Sequence, residues 1–153
     1  MDDIQRLARA ASRRGIRIAV AESLTSGLLA SKVGEGEDAA SWFAGGVVAY
    51  LTEVKESVLG LEPGVDPCSR ECAEQLADGV RSLMSADFAF STTGVGGPDP
   101  EDGHAPGTVC LGWATDEGTS SEVLHFDGGP DEVLTRTVEA SLRLLADLVE
   151  REG

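Results

Sequence analysis

Ser23, Thr25 and Ser26 stand beside Glu22 in the stretch Ala21-Glu22-Ser23-Leu24-Thr25-Ser26-Gly27, three hydroxyls and a carboxylate crowded between two apolar segments. A serine hydroxyl becomes a useful nucleophile only when a base takes its proton, and a lysine amine can take it once burial favours the neutral form. Arginine cannot, because its guanidinium stays charged. Only two of the twelve basic residues are lysines, Lys32 and Lys55, so the lysine retained at 55 points towards such a base. Plainer readings stand beside these. Thr25 or Ser26 alone would be an ordinary helix cap, and Lys55, flanked by Glu53 and Glu56, reads on spacing alone as a solvated surface lysine. Four polar side chains in positions 22–26, with Gly27 permitting close backbone approach, exceed what a cap needs and favour a binding role for Glu22, Thr25, Ser26 and Gly27.

A second group follows Thr92-Thr93, where Gly94-Val95-Gly96-Gly97 is either a nest of backbone N–H groups for an anion or a tight turn. Its glycine spacing matches neither a Walker loop nor the dinucleotide fingerprint. Tyr50 is the sole tyrosine, a strand-end residue in water or a ring against a ligand. Arg136 pairs either an anionic substrate or its neighbours Glu132 and Glu139.

These residues need elements to hold them. Ile4, Leu7, Ala8 and Ala11 recur on one face of a helix over residues 3–14, stopped by Gly15. Residues 16–21 form a buried strand, and Leu28, Leu29, Ala30 and Val33 give the stripe of a helix after it. The hydroxyls therefore fall between a strand's C-terminal end and a helix N-terminus, a place that favours anions or developing oxyanions. A turn at 38–42 leads to a second buried strand, 43–51, whose Gly45-Gly46 pair marks a bulge or close backbone approach. Thr52 caps a helix to Leu59 before Gly60, and Ser69 caps a longer one to about residue 85, with Cys72, Ala73, Leu76, Val80, Leu83 and Met84 on its apolar face. Strand 87–93, a hairpin of 108–114 with 122–126, and a helix over 131–151 with Leu134 inward complete an α/β layered domain with a mixed sheet.

Composition narrows the function. Twenty-seven acidic against twelve basic residues leave a charge of −15, which opposes nucleic-acid binding. Apolar runs are too short to span a membrane, so a cytoplasmic protein with no membrane partner is expected. Cys68, Cys72 and Cys110 have neither zinc nor redox spacing and read as buried thiols; His104 and His125 are the only histidines, and no metal is expected. The 153 residues suit one domain, 1–153, and a homo-oligomer is expected of so small a domain.

Four motifs in order resemble the C-terminal domain of the CinA (competence/damage-inducible) family, which includes nicotinamide-nucleotide amidohydrolases of the PncC type. AESLTSG at 21–27 is similar to the family's AESCTGG, GVVAYLTEVK at 46–55 to GGVVAYSNEAK, TGVGGP at 93–98 to TGIAGP, and Pro106-Gly107-Thr108-Val109 to a shifted PVGTV. Leu24, Ser26 and Leu51-Thr52 depart from these patterns, and Gly128-Gly129-Pro130-Asp131 stands where the family tends to carry arginines after Gly-Asp, leaving only Arg136 nearby. The resemblance implies a three-layer α/β/α domain that hydrolyses the carboxamide of nicotinamide mononucleotide, a pyridine nucleotide, with no cofactor. It further implies that Ser23 is the nucleophile, Lys55 its base and Tyr50 close to the reacting centre. Thr25, Thr93, Gly94, Gly96 and Gly97 would hold substrate or oxyanion. A drifted, non-catalytic nucleotide-binding or interaction module is the alternative.

Overall fold

The computed structural model describes residues 1–151. Helix α1 (Asp3–Arg14) opens with a capping box, in which Asp2 accepts from the Gln5 N–H and the Gln5 side chain accepts from the Asp2 N–H, and closes on left-handed Gly15. Strand β1 (Ile18–Glu22) follows, then helix α2 (Leu28–Val33), a 3₁₀ turn (Ala39–Ser41), strand β2 (Phe43–Val48) and helix α3 (Thr52–Leu59). Helix α4 (Arg70–Leu83), strand β3 (Phe88–Gly94), the hairpin of β4 (Thr108–Thr115) and β5 (Gly118–His125), and helix α5 (Pro130–Arg151) complete the chain.

The sheet order is β2-β1-β3-β4-β5, with β1 parallel to both β2 and β3 and the β4/β5 hairpin antiparallel. β1 is buried throughout, as a central parallel strand covered on both faces must be. Its alternation separates two cores. Ile18 and Val20 face Leu7, Leu29, Leu145 and Val149 of α1, α2 and α5, while Ala19 and Ala21 face Leu59, Leu76 and Val80 of α3 and α4. The result is the three-layer α/β/α sandwich with a mixed sheet. Arg6 fastens α1 to α5 by reaching Asp147 and Glu150 while also holding Asp3 of its own helix.

The second core is built for close approach. A Cβ on Gly112 of β4 would collide with the Ala73 carbonyl of α4, and one on Gly79 with the Leu59 carbonyl at the end of α3.

Several expectations need correcting. β2 is an edge strand with alternating exposure rather than a buried one, because only β1 flanks it; Ala44, Gly46 and Val48 are exposed. Its extra residue between Phe43 and Gly45 is a bulge. Leu51 takes the N-cap position of α3 with no side-chain cap bond, so Thr52 is already helical. Ser69 does cap α4 by accepting from the Cys72 N–H, but Leu83 near that helix's end is 54% exposed rather than on the buried face.

Gly112→Ala should therefore lower the urea midpoint, by about 1–3 kcal/mol of stability with an unchanged slope, since α4 must back away from the sheet. Equilibrium unfolding followed by circular dichroism checks it.

Candidate active site

β1 connects through α2 to β2 on one side, and β2 returns through α3 and α4 to β3 on the other, so the chain diverges at the carboxyl ends of β1 and β3. Such divergence opens a crevice where α/β sheets bind ligands. A cavity of about 400 Å³ lies there. Ser23, Leu24 and Ser26 line it after β1, Tyr50, Leu51 and Thr52 after β2, and Thr93 to Gly97 from the end of β3 onward; Lys55 joins them from α3 and Cys68 from the approach to α4.

The loop after β1 owes its shape to Glu22. That side chain is 1% exposed, and its two carboxylate oxygens accept the N–H groups of Leu29 and Ala30 at 2.8 and 2.9 Å. It caps α2, whose N-cap residue Gly27 has no side chain to do so. Residues 23–27 must then loop out over the sheet edge, with Ser26 and Gly27 both in the left-handed region. The Ser23 N–H still reaches the Thr92 carbonyl at 3.1 Å, which holds the serine beside β3.

Lys55 lies one turn before Leu59 on the inward face of α3 and is 4% exposed. Among the described residues it forms no ion pair, and neither Glu53 nor Glu56 reaches it. The solvated surface lysine is thereby set aside. Its electrostatic neighbour is the Cys72 thiol, which burial pushes up to about 11 although the lysine acts in the opposite sense. Ser23 is 6% exposed. Ser23 and Lys55 front one cavity but, among the described residues, form no hydrogen bond with each other, so the dyad stands open.

The remaining expected site residues divide. Ser26, Tyr50, Thr93, Gly94, Gly96 and Gly97 line the cavity. Tyr50 is 65% exposed and stands at its mouth. The Thr93 hydroxyl donates to the Pro67 carbonyl at 2.6 Å, fixing the wall that carries Cys68. Glu22, Thr25, Gly27 and Arg136 do not line it. Glu22 is occupied as a cap, and Thr25 is fully buried with its hydroxyl bonded to that of Thr92 at 2.8 Å. Gly27 begins α2 against Val48. Arg136 opens onto a separate groove with Asp2, Asp3, Glu139 and Arg143. Nor is the start of α2 free for an anion, because Glu22 already takes its N–H groups.

Sequence reasoning missed Glu101, Asp102, Pro130 and Leu134 as lining residues. The two carboxylates lie in a loop without periodicity. Pro130 and Leu134 are four apart at the start of α5, a helical spacing that would have shown they share a face.

Cys68 is the one thiol lining the cavity, and it is poorly suited to attack. A hydrogen bond with Cys110, together with burial, pushes its ionisation far above the usual range, whereas the same contact lowers Cys110. The thiol, not the thiolate, faces the cavity.

The CinA C-terminal domain family model matches residues 3–149. The chain belongs to the CinA C-terminal domain family. It is 36% identical over 153 residues to a competence-damage inducible protein of Bacillus velezensis, covering 97% of this chain and 37% of the relative. A CinA-like protein of Frankia casuarinae is 37% identical over 148 residues, covering 92% of this chain and 34% of the relative. The chain thus spans about a third of the length of these curated relatives. Among solved structures, a CinA superfamily protein from Klebsiella pneumoniae superposes with a TM-score of 0.92 at 29% identity, covering 97% of this chain and 96% of that one. One from Escherichia coli gives 0.85 at 31% identity over 94% and 89%. The CinA fold is therefore established for the chain, and no helix among the described residues is long and apolar enough to cross a membrane.

One wall of this CinA cavity is pH-sensitive. Asp66 sits 2.6 Å from the His104 ring and accepts the Cys68 N–H at 2.9 Å. Burial opposes ionisation of Asp66, but the Cys68 N–H and His104 outweigh it and hold it below the ordinary 3.8; the Asp66 bond holds His104 above the ordinary 6.5. A lowered acid stabilises above its unfolded value and a raised base below its own, so the pair contributes fully between those two ordinary values. Its contribution fades as pH falls through the depressed Asp66 value or rises through the elevated His104 value. The melting-temperature difference between wild type and His104→Gln should be greatest in that window and vanish on the alkaline side, as a pH series of thermal melts would show.

Proposed function

We propose that the chain is a carboxamide hydrolase that converts nicotinamide mononucleotide to nicotinate mononucleotide and ammonia through Ser23 and Lys55. The observation that carries this reading is a lysine only 4% exposed, without a counter-ion among the described residues, fronting the same cavity as Ser23, whose hydroxyl makes no hydrogen bond among those residues. Withdrawing most of a lysine from water without a carboxylate partner costs stability, so a lysine placed this way at a cavity is better explained by proton transfer than by stability.

Ser23 Oγ attacks the carboxamide carbon as Lys55 Nζ takes its proton. The negative charge that forms on the carbonyl oxygen needs preorganised donors. The Leu24, Gly96 and Gly97 N–H groups belong to residues that line the cavity and, among the described residues, make no hydrogen bond within the protein. Lys55 then returns the proton to the departing nitrogen, releasing ammonia and leaving an ester on Ser23. Water attacks that ester with Lys55 again as base, freeing the carboxylate and restoring the hydroxyl. Tyr50, at the mouth, covers the pyridine ring by stacking. The open dyad is consistent with catalytic hydrogen bonds that tighten only when substrate binds.

That same opening favours a second reading, a nucleotide-binding module that has lost turnover. Stabilisation by the nucleotide in a thermal-shift assay without ammonia release would support it.

Ammonia release from nicotinamide mononucleotide by the purified chain tests the hydrolase. Ser23→Ala and Lys55→Ala should each lower kcat/KM by about a thousandfold or more, and Lys55→Arg should not rescue, since arginine keeps its proton. Turnover retained in any of the three would move the chemistry elsewhere.

A further inference from the structure

Resting on the hydrolase reading, we infer that the cavity selects its substrate by charge and takes a carboxamide on a phosphate-free pyridinium nucleoside in preference to the phosphorylated nucleotide. The charged lining residues are Lys55, Glu101 and Asp102. Lys55 is engaged with the Ser23 proton throughout the proposed step. The charged side chains left to meet the rest of the substrate are the two carboxylates, and neither is tied up in an ion pair or side-chain hydrogen bond among the described residues.

The sources of positive charge that would offset them are committed elsewhere. Arg136 opens onto the groove with Asp2 and Asp3. His104 is paired with Asp66 at 2.6 Å. The positive end of α5 meets the cavity through Pro130 and Leu134, both apolar, and its first turn carries Asp131 and Glu132, with Glu132 accepting the Gly129 N–H at 3.4 Å. A phosphomonoester brings about −1.5 to −2 charges near neutral pH into this lining and into the field of a chain of net charge −15. A pyridinium ring brings a positive charge, which the same carboxylates attract. The apolar faces of Leu51, Pro130 and Leu134 suit the ring and ribose carbons.

The test compares kcat/KM for ammonia release from nicotinamide riboside and nicotinamide mononucleotide at low salt and at about 1 M salt, where charges are screened beyond ~3 Å. The nucleoside should be favoured by about tenfold or more at low salt, with the ratio shrinking as salt screens the carboxylates. A Glu101→Gln/Asp102→Asn variant, isosteric and in an exposed loop, should reduce the low-salt preference to about threefold or less, chiefly through better use of the nucleotide. Asparagine also tolerates the left-handed backbone at 102. Preference for the nucleotide at low salt, or a ratio untouched by the variant, would overturn the inference while leaving the hydrolase in place. Ammonia from neither compound would remove both.

Discussion

Both oxygens of Glu22 bond the N–H groups that open α2, and this ties the last residue of β1 directly to a helix seven residues further on. The intervening chain cannot continue the strand or start the helix early. It loops outward at the carboxyl edge of the sheet, and the nucleophile candidate rides on that loop. The carboxylate is buried, so its loss would leave two N–H groups without an acceptor in the interior. Thr25, bonded to Thr92, closes the same loop from beneath. Residues that look like ligands in the sequence thus form the floor on which Ser23 is presented.

Lys55 is the counterpart on the opposite wall. A hydrophobic residue would suit the inward face of α3 better, one turn from Leu59, and an acid nearby would have made the lysine an ordinary buried ion pair. Neither is present. The cysteines beside it provide an apolar, weakly acidic surround, and the contact between Cys68 and Cys110 keeps the cavity-facing sulfur protonated. The wall can therefore host a base without also hosting a rival thiolate.

Much of the frame was legible because it depends on local chemistry: glycines at 15 and 60 end helices in the left-handed region, and Ser69 caps α4. What was not legible depends on tertiary placement. The run 43–51 has the composition of a buried strand, and only the strand order makes β2 an edge. Glu22 could not be recognised as a cap because its partners lie seven and eight residues away rather than within a turn. On α5, Leu134 faces the cavity, and Arg136 lies roughly 200° further round the helix at 100° per residue, which puts it in another groove. The motif order identified the loops that meet at the cavity, whereas the charge of its rim came from Glu101 and Asp102, in a loop that carries no periodic signal.

The claim that Ser23 forms a covalent bond with the substrate's acyl carbon is tested most directly by rapid-quench mass spectrometry of the protein mixed with nicotinamide mononucleotide or nicotinamide riboside. An acyl adduct, substrate mass less ammonia, is expected on the peptide that contains Ser23. Ammonia release with no adduct there, or with an adduct on Cys68 instead, would contradict it.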